Sequence, residues 1–134
     1  MKSKKLAFVS LLLVVQVLLS CGCSRTNVNV NTNVRLKYYV GETQTDVILT
    51  KEEAASVIDI LDDQEYFSFL SGVPGCGFDK NVSLQVGNRV YAVACDKCNV
   101  VQDLGNLRFF DIPQKDMEYI HSLFEKYGGH FPCS

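Results

Sequence analysis

Six cysteines in a chain of 134 residues are the side chains with the most chemistry to offer. Cys76, Cys95, Cys98 and Cys133 form one group in the C-terminal half. Four such thiols can close two disulfides, hold a tetrahedral zinc ion, or leave Cys95 and Cys98, a CxxC pair, as a redox couple. One hairpin bears on their placement. Residues 82–86 and 89–94 read as strands joined by a two-residue turn at Gly87-Asn88, so residue numbers opposite one another add to about 175. Cys76 then falls near both cysteines of the CxxC, and Cys133, after the last helix, can fold back to the same end. Two structural disulfides, Cys76–Cys98 with Cys95–Cys133, are the favoured reading, each contributing ~2–4 kcal/mol. The zinc reading has a single CxxC where a strong signal carries two. The redox reading lacks the helix N-terminus that commonly lowers a CxxC thiol's pKa, because Val-Tyr-Ala-Val-Ala-Cys95 is strand-like. Asp96 adds negative charge beside these thiols and Lys97 opposes it.

The remaining candidates are sparse. His121 lies one place beyond the apolar stripe of the last helix and reads as a boundary residue rather than a base. His130, close to Cys133, is a further metal-ligand candidate. Asp59, Asp62, Asp63 and Glu65 crowd the end of a helix, where acids oppose the helix dipole. A calcium ion or a basic partner would offset that, and a solvated acidic surface is the simpler reading. There is no Ser/His/Asp signature, phosphate loop or HExxH, so no catalytic role is expected.

The N-terminus carries a different chemistry. Lys2, Lys4 and Lys5 precede an apolar run over residues 6–19, interrupted only by Ser10 and Gln16. As a helix this run spans roughly 21 Å, short of the ~30 Å hydrocarbon core of a bilayer. Length and flanks favour a cleaved signal peptide, residues 1–20, over a permanent membrane span. The run ends in Leu18-Leu19-Ser20-Cys21, which resembles a lipobox, the processing motif of bacterial lipoproteins. That resemblance implies a diacylglyceryl thioether on Cys21, cleavage before it, and acylation of the new amine. Ser20 supplies the small residue at the cut and Leu18 the aliphatic one, while Leu19 is larger than usual at its place. Cys23 follows Cys21-Gly22, a poor match, and has no assigned role.

Removing residues 1–20 takes three lysines with it, leaving ten basic residues against 15 acidic, a net charge of about −5. With no basic patch, nucleic acid is not an expected partner. The mature chain suits one domain. Residues 21–33 are asparagine-rich and read as a lipidated tether, with residues 34–134 as a single domain. The competing reading of residues 28–40 is one long strand, since valines and aromatics alternate with asparagines and basic residues.

Beyond Val34 a strand turns at Gly41-Glu42 into a second over residues 45–49. Thr50-Lys51-Glu52-Glu53 is a capping box that opens a helix. Ala54, Val57, Ile58 and Leu61 form its apolar face. Residues 66–70 read as buried and strand-like, and residues 71–77 as a loop. Strands over 82–86, 89–94 and 107–112 follow, and a last helix runs from Pro113 to about Tyr127. The expected fold is α+β: an antiparallel sheet of about five strands in hairpins, ordered ββα–βββα, with two helices on one face.

From Thr50 onward the chain resembles small uncharacterised lipoproteins of Gram-positive bacteria, through TKEEAASVIDIL, CGFDKNVSL, CDKC and the closing IHSLFEKYGGHFPC. The resemblance implies compartment and architecture and transfers no catalytic residue. Together these features lead to a membrane-anchored extracytoplasmic lipoprotein, a non-enzymatic accessory or binding domain for an unknown protein or small molecule. No cofactor is expected beyond the zinc alternative, and a thiol-redox or zinc-binding role at Cys95 and Cys98 is the competing function.

Overall fold

Thr50 begins the first helix as the sequence predicts, and that helix shows how the fold is held. In the computed structural model, which describes residues 24–128, helix α1 spans Lys51–Leu61. The Thr50 hydroxyl accepts from the Glu53 backbone N–H at 3.3 Å, and the Glu53 carboxylate accepts from the Thr50 N–H at 3.0 Å. Val57, Ile58 and Leu61 are buried. The last helix, α2, covers Gln114–Lys126 and buries Met117, Ile120, Leu123 and Phe124.

Both helices pack on one face of a six-stranded antiparallel sheet in the order β2-β1-β3-β4-β5-β6. The strands are β1 (Val34–Val40), β2 (Thr43–Ile48), β3 (Phe78–Val86), β4 (Arg89–Ala94), β5 (Val100–Asp103) and β6 (Arg108–Asp111). The class is α+β, with one strand more than expected. That strand is β5, four residues long. Val100 and Val101 point to opposite faces and are both buried, so the segment lacks the alternation that marks a half-buried strand. Leu36, Leu84, Tyr91, Val101 and Phe110 line up across the helix-facing side of the sheet. Phe110 meets the rings of Tyr66 and Tyr91 edge-on.

The β3–β4 hairpin turns at Gly87, whose φ of +58° is ordinary for glycine and unfavourable for other residues. A side chain there would also meet the Thr32 methyl at 2.8 Å. The register adds to 175 from Val86–Arg89 through Ser83–Ala92, then shifts before Phe78, which pairs with Ala94. Residues 79–82 carry this irregularity.

Two sequence expectations need correction. Residues 66–70 are not a buried strand: Tyr66 is buried, but Phe69–Ser71 is a 3-10 turn with Phe69 and Leu70 exposed. Nor does the domain begin at Val34. Residues 24–28 are docked along residues 62–66, through an antiparallel backbone β-bridge between residues 25 and 65, the Thr26 N–H donating to the Gln64 carbonyl, and the Tyr66 N–H donating to that of Ser24. Thr26 and Val28 are buried by this contact. The acids at the end of α1 explain it. Asp62 accepts from the Val28 N–H at 2.9 Å, and Arg25 Nη1 donates to both carboxylate oxygens of Asp63 at 3.0 Å. Their partner is therefore the chain's own N-terminal segment, and Val30, exposed in a turn, interrupts the one-strand alternative. Residues 21–23 of the expected tether lie outside the described residues.

Glu53 joins the two helices as well as capping one. Its carboxylate also accepts from Lys126 Nζ at 2.6 Å and from the Tyr127 hydroxyl at 2.8 Å. Burial pushes the Glu53 carboxyl up, but the Lys126, Thr50 and Tyr127 hydrogen bonds outweigh it and hold its pKa at about 2, below the ordinary 4.5. The ionised form is the one that supports the fold. Its contribution is present above the unfolded carboxyl's pKa and is lost as pH falls from about 4.5 towards about 2. Glu53→Gln is expected to cost about 1 kcal/mol at neutral pH. It should also flatten the fall in stability over that acid window. Urea midpoints collected from pH 6 to pH 2 check this, and parallel curves for the two proteins would refute it.

Candidate functional site

The loop after β4 gathers the cysteine chemistry. Cys76 and Cys98 are joined in a disulfide with Cα atoms 5.9 Å apart. Cys95 is disulfide-bonded as well. Cys133, Cys21, Cys23 and His130, and with them the expected Cys95–Cys133 pairing and the Cys21 lipid site, lie outside the described residues.

Asp96 organises the loop. One carboxylate oxygen accepts from the Gly77 N–H at 2.6 Å and the other from the Cys98 N–H at 2.9 Å. These two backbone donors hold its carboxyl below the usual range. The Cys95 N–H donates to the Gly77 carbonyl at 2.9 Å. Residue 77 is thus clasped to residues 95 and 96, and that clasp sets Cys76 within reach of Cys98. The sequence marks Asp96 as a charge beside the thiols; the structure makes it an acceptor for two backbone amides.

This geometry bears on each chemistry proposed for the thiols. Cys76, Asp96 and Cys98 offer ligand atoms within 4.8 Å of one another. With the two sulfurs bonded to each other, however, there is no thiolate to donate to zinc. The two cysteines of the CxxC belong to separate bonds, since Cys98 is paired with Cys76. Residues 95–97 form a bend that leads towards β5, so neither Cys95 nor Cys98 opens a helix of its own.

An open depression of about 470 Å³ lies beside the disulfide, with Asp96, Lys97, Gln114, Glu118 and His121 among its walls. His121 Nε2 is 2.9 Å from the Ala94 carbonyl oxygen, which ties α2 to β4. That contact gives His121 a structural position, in keeping with its place at the edge of the apolar stripe.

A second polar group is buried on the helix side of the sheet and left no sign in the sequence. Asp103 is 3% exposed. It accepts from the Tyr66 hydroxyl at 2.6 Å and from the Gly105 N–H at 2.9 Å, with Arg89 Nη1 at 3.8 Å. Burial pushes the Tyr66 and Tyr91 phenols above their ordinary range, and donation to Asp103 adds to the rise at Tyr66. Tyr66, Tyr91 and Asp103 are all closed to solvent, so the cluster has no open approach for a substrate. It fastens the residue 62–66 segment to the sheet.

No protein-family model, curated protein sequence or solved structure matches this chain. Among the described residues no helix is long and apolar enough to cross a membrane.

Proposed function

We propose that the chain is a lipid-anchored accessory or binding domain on the extracytoplasmic face of a membrane, of the small Gram-positive lipoprotein type, without catalytic machinery of its own. The observation that carries this reading is Cys21, placed directly after a basic head, an apolar run of signal-peptide length and a small residue. The Cys76–Cys98 bond supports the compartment, because disulfides persist in oxidising surroundings and are rare in the cytosol. It weighs against the thiol-redox and zinc alternatives, both of which need free thiolates at Cys95 and Cys98. The polar clusters at Asp96 and Asp103 support a non-enzymatic reading, since each is occupied in holding backbone or segments together.

Cys21→Ala tests the anchor. The variant is expected to leave the membrane fraction for the soluble fraction, or to accumulate as an uncleaved precursor. The wild-type N-terminal peptide should carry the mass of diacylglycerol and acyl groups on Cys21. Normal processing with unchanged membrane retention in the variant would overturn the reading.

A further inference from the structure

We infer that the apolar knuckle formed by Phe69, Leu70 and Val73, with Leu107 beside it, inserts into the bilayer surface next to the lipid anchor. The inference rests on the anchor reading above and adds a second contact to it. Phe69 is 85% exposed, Leu70 97%, Val73 81% and Leu107 69%. Isolated exposed apolar residues are ordinary, but Phe69, Val73 and Leu107 share one surface hollow of about 200 Å³, with Leu70 next to them in the chain.

The knuckle is braced in this exposed form. The Phe67 N–H donates to the Phe109 carbonyl at 2.7 Å, and the Ser68 side chain caps the 3-10 turn. The Arg108 guanidinium lies 4.6 Å from the Tyr66 ring centroid and 4.7 Å from that of Phe69, and donates to the Phe67 carbonyl at 3.0 Å. The Cys76–Cys98 bond fixes the far end of the loop. Phe69 and Leu70 are thus held away from the core, where burial would favour them.

The start of the described chain says what covers them. Residues 24 and 25 run antiparallel to residues 65 and 66. Followed backwards from Ser24, the chain heads the way residues 65 and 66 run on towards Phe69. Only three peptide units separate Ser24 from Cys21, a reach of at most about 11 Å. Acyl chains on Cys21 therefore enter the bilayer at the end of the molecule that carries the knuckle. The mature chain is acidic overall, so attraction to anionic headgroups is not what holds this end down. The contact is apolar, with Arg108 at the base of the loop at headgroup level.

The chain contains no tryptophan, so Leu70→Trp places a single reporter at the tip of the knuckle. Ile48→Trp is the control, because Ile48 is exposed on β2, at the sheet edge opposite β6 and about 24 Å away across five strand spacings. The full-length processed protein is mixed with phosphatidylcholine vesicles, with and without brominated acyl chains. Leu70→Trp emission is expected to shift to the blue and to be quenched by the brominated lipid, while Ile48→Trp does neither. Protein that sediments with vesicles and carries lipid on Cys21, yet shows no shift for Leu70→Trp, overturns the insertion and leaves the anchor standing. Protein without lipid and without the shift overturns both. Protein without lipid that still shows the shift and quenching overturns the anchor alone. A blue shift without vesicles that grows with protein concentration assigns the knuckle to a second copy of the chain, and overturns insertion.

Discussion

Cys76→Ser combined with Cys98→Ser is expected to lower unfolding stability by about 3 kcal/mol, from the loop-closure entropy of a 22-residue separation. For a domain of this size that is a fall of roughly 10 °C in the melting midpoint. The double substitution is the clean form, because a single one leaves an unpaired thiol free to exchange with the Cys95 bond. Apart from chain entropy, the bond ties the exposed loop over residues 71–77 to the connection between β4 and β5, where the hydrogen bonds of Gly77 to Cys95 and Asp96 would otherwise hold it. Thiol counting on the native wild-type protein is the companion measurement. Oxidised Cys76 and Cys98 in one linked peptide agree with the structure; reactive thiols at these positions, or stoichiometric bound zinc, would return the redox or metal alternatives to the front. A midpoint unchanged by the double substitution would show that the bond contributes nothing to stability.

Asp103→Ala is expected to cost about 3 kcal/mol, the scale for removing one partner of a buried charged group. It strands the Tyr66 hydroxyl and the Gly105 N–H and takes the carboxylate from Arg89. Asp103→Asn keeps an oxygen for Tyr66 and should recover about half of the loss. Asp111→Ala, on the exposed end of β6, provides the comparison and should stay within about 0.5 kcal/mol of wild type. Chemical denaturation of the three variants decides the matter. An Asp103→Ala midpoint as close to wild type as that of Asp111→Ala would mean that the cluster does not fasten the residue 62–66 segment.

What the sequence discloses of this fold is what is local. The Thr50–Glu53 box, the turn at Gly87 and the periodic face of α2 each lie within a few residues and obey a fixed spacing, and the structure has a helix, a hairpin and a helix there. The one long-range inference from those local signs, Cys76 near Cys98, depends only on where the hairpin turns. The features missing from the sequence reading depend on residues distant in the chain. Asp62 and Asp63 look like unopposed acids at the wrong end of a helix until Arg25 and Val28 are brought to them from more than thirty positions upstream. Asp103 carries no mark in its own neighbourhood; Tyr66 and Arg89 close over it from 37 and 14 positions away. Residues 66–70 are misleading for a related reason. Their composition is that of a core strand, and only the path of the chain past Phe109 leaves Phe69 and Leu70 outside.

With Cys21 as the proposed attachment point, the docking of residues 24–28 would also set how far the domain operates from it. A flexible tether of a dozen residues would let the body swing and sample a wide hemisphere above the membrane. On the proposed anchor, backbone docked from residue 24 onward would leave almost no lever arm. A body of this length has a radius of gyration of about 13 Å, so its farthest point stands only some tens of ångströms from the surface. Anything bound from that proposed position would itself have to come down to the membrane, and the protein would act on neighbours lying in the same plane rather than on targets across the envelope.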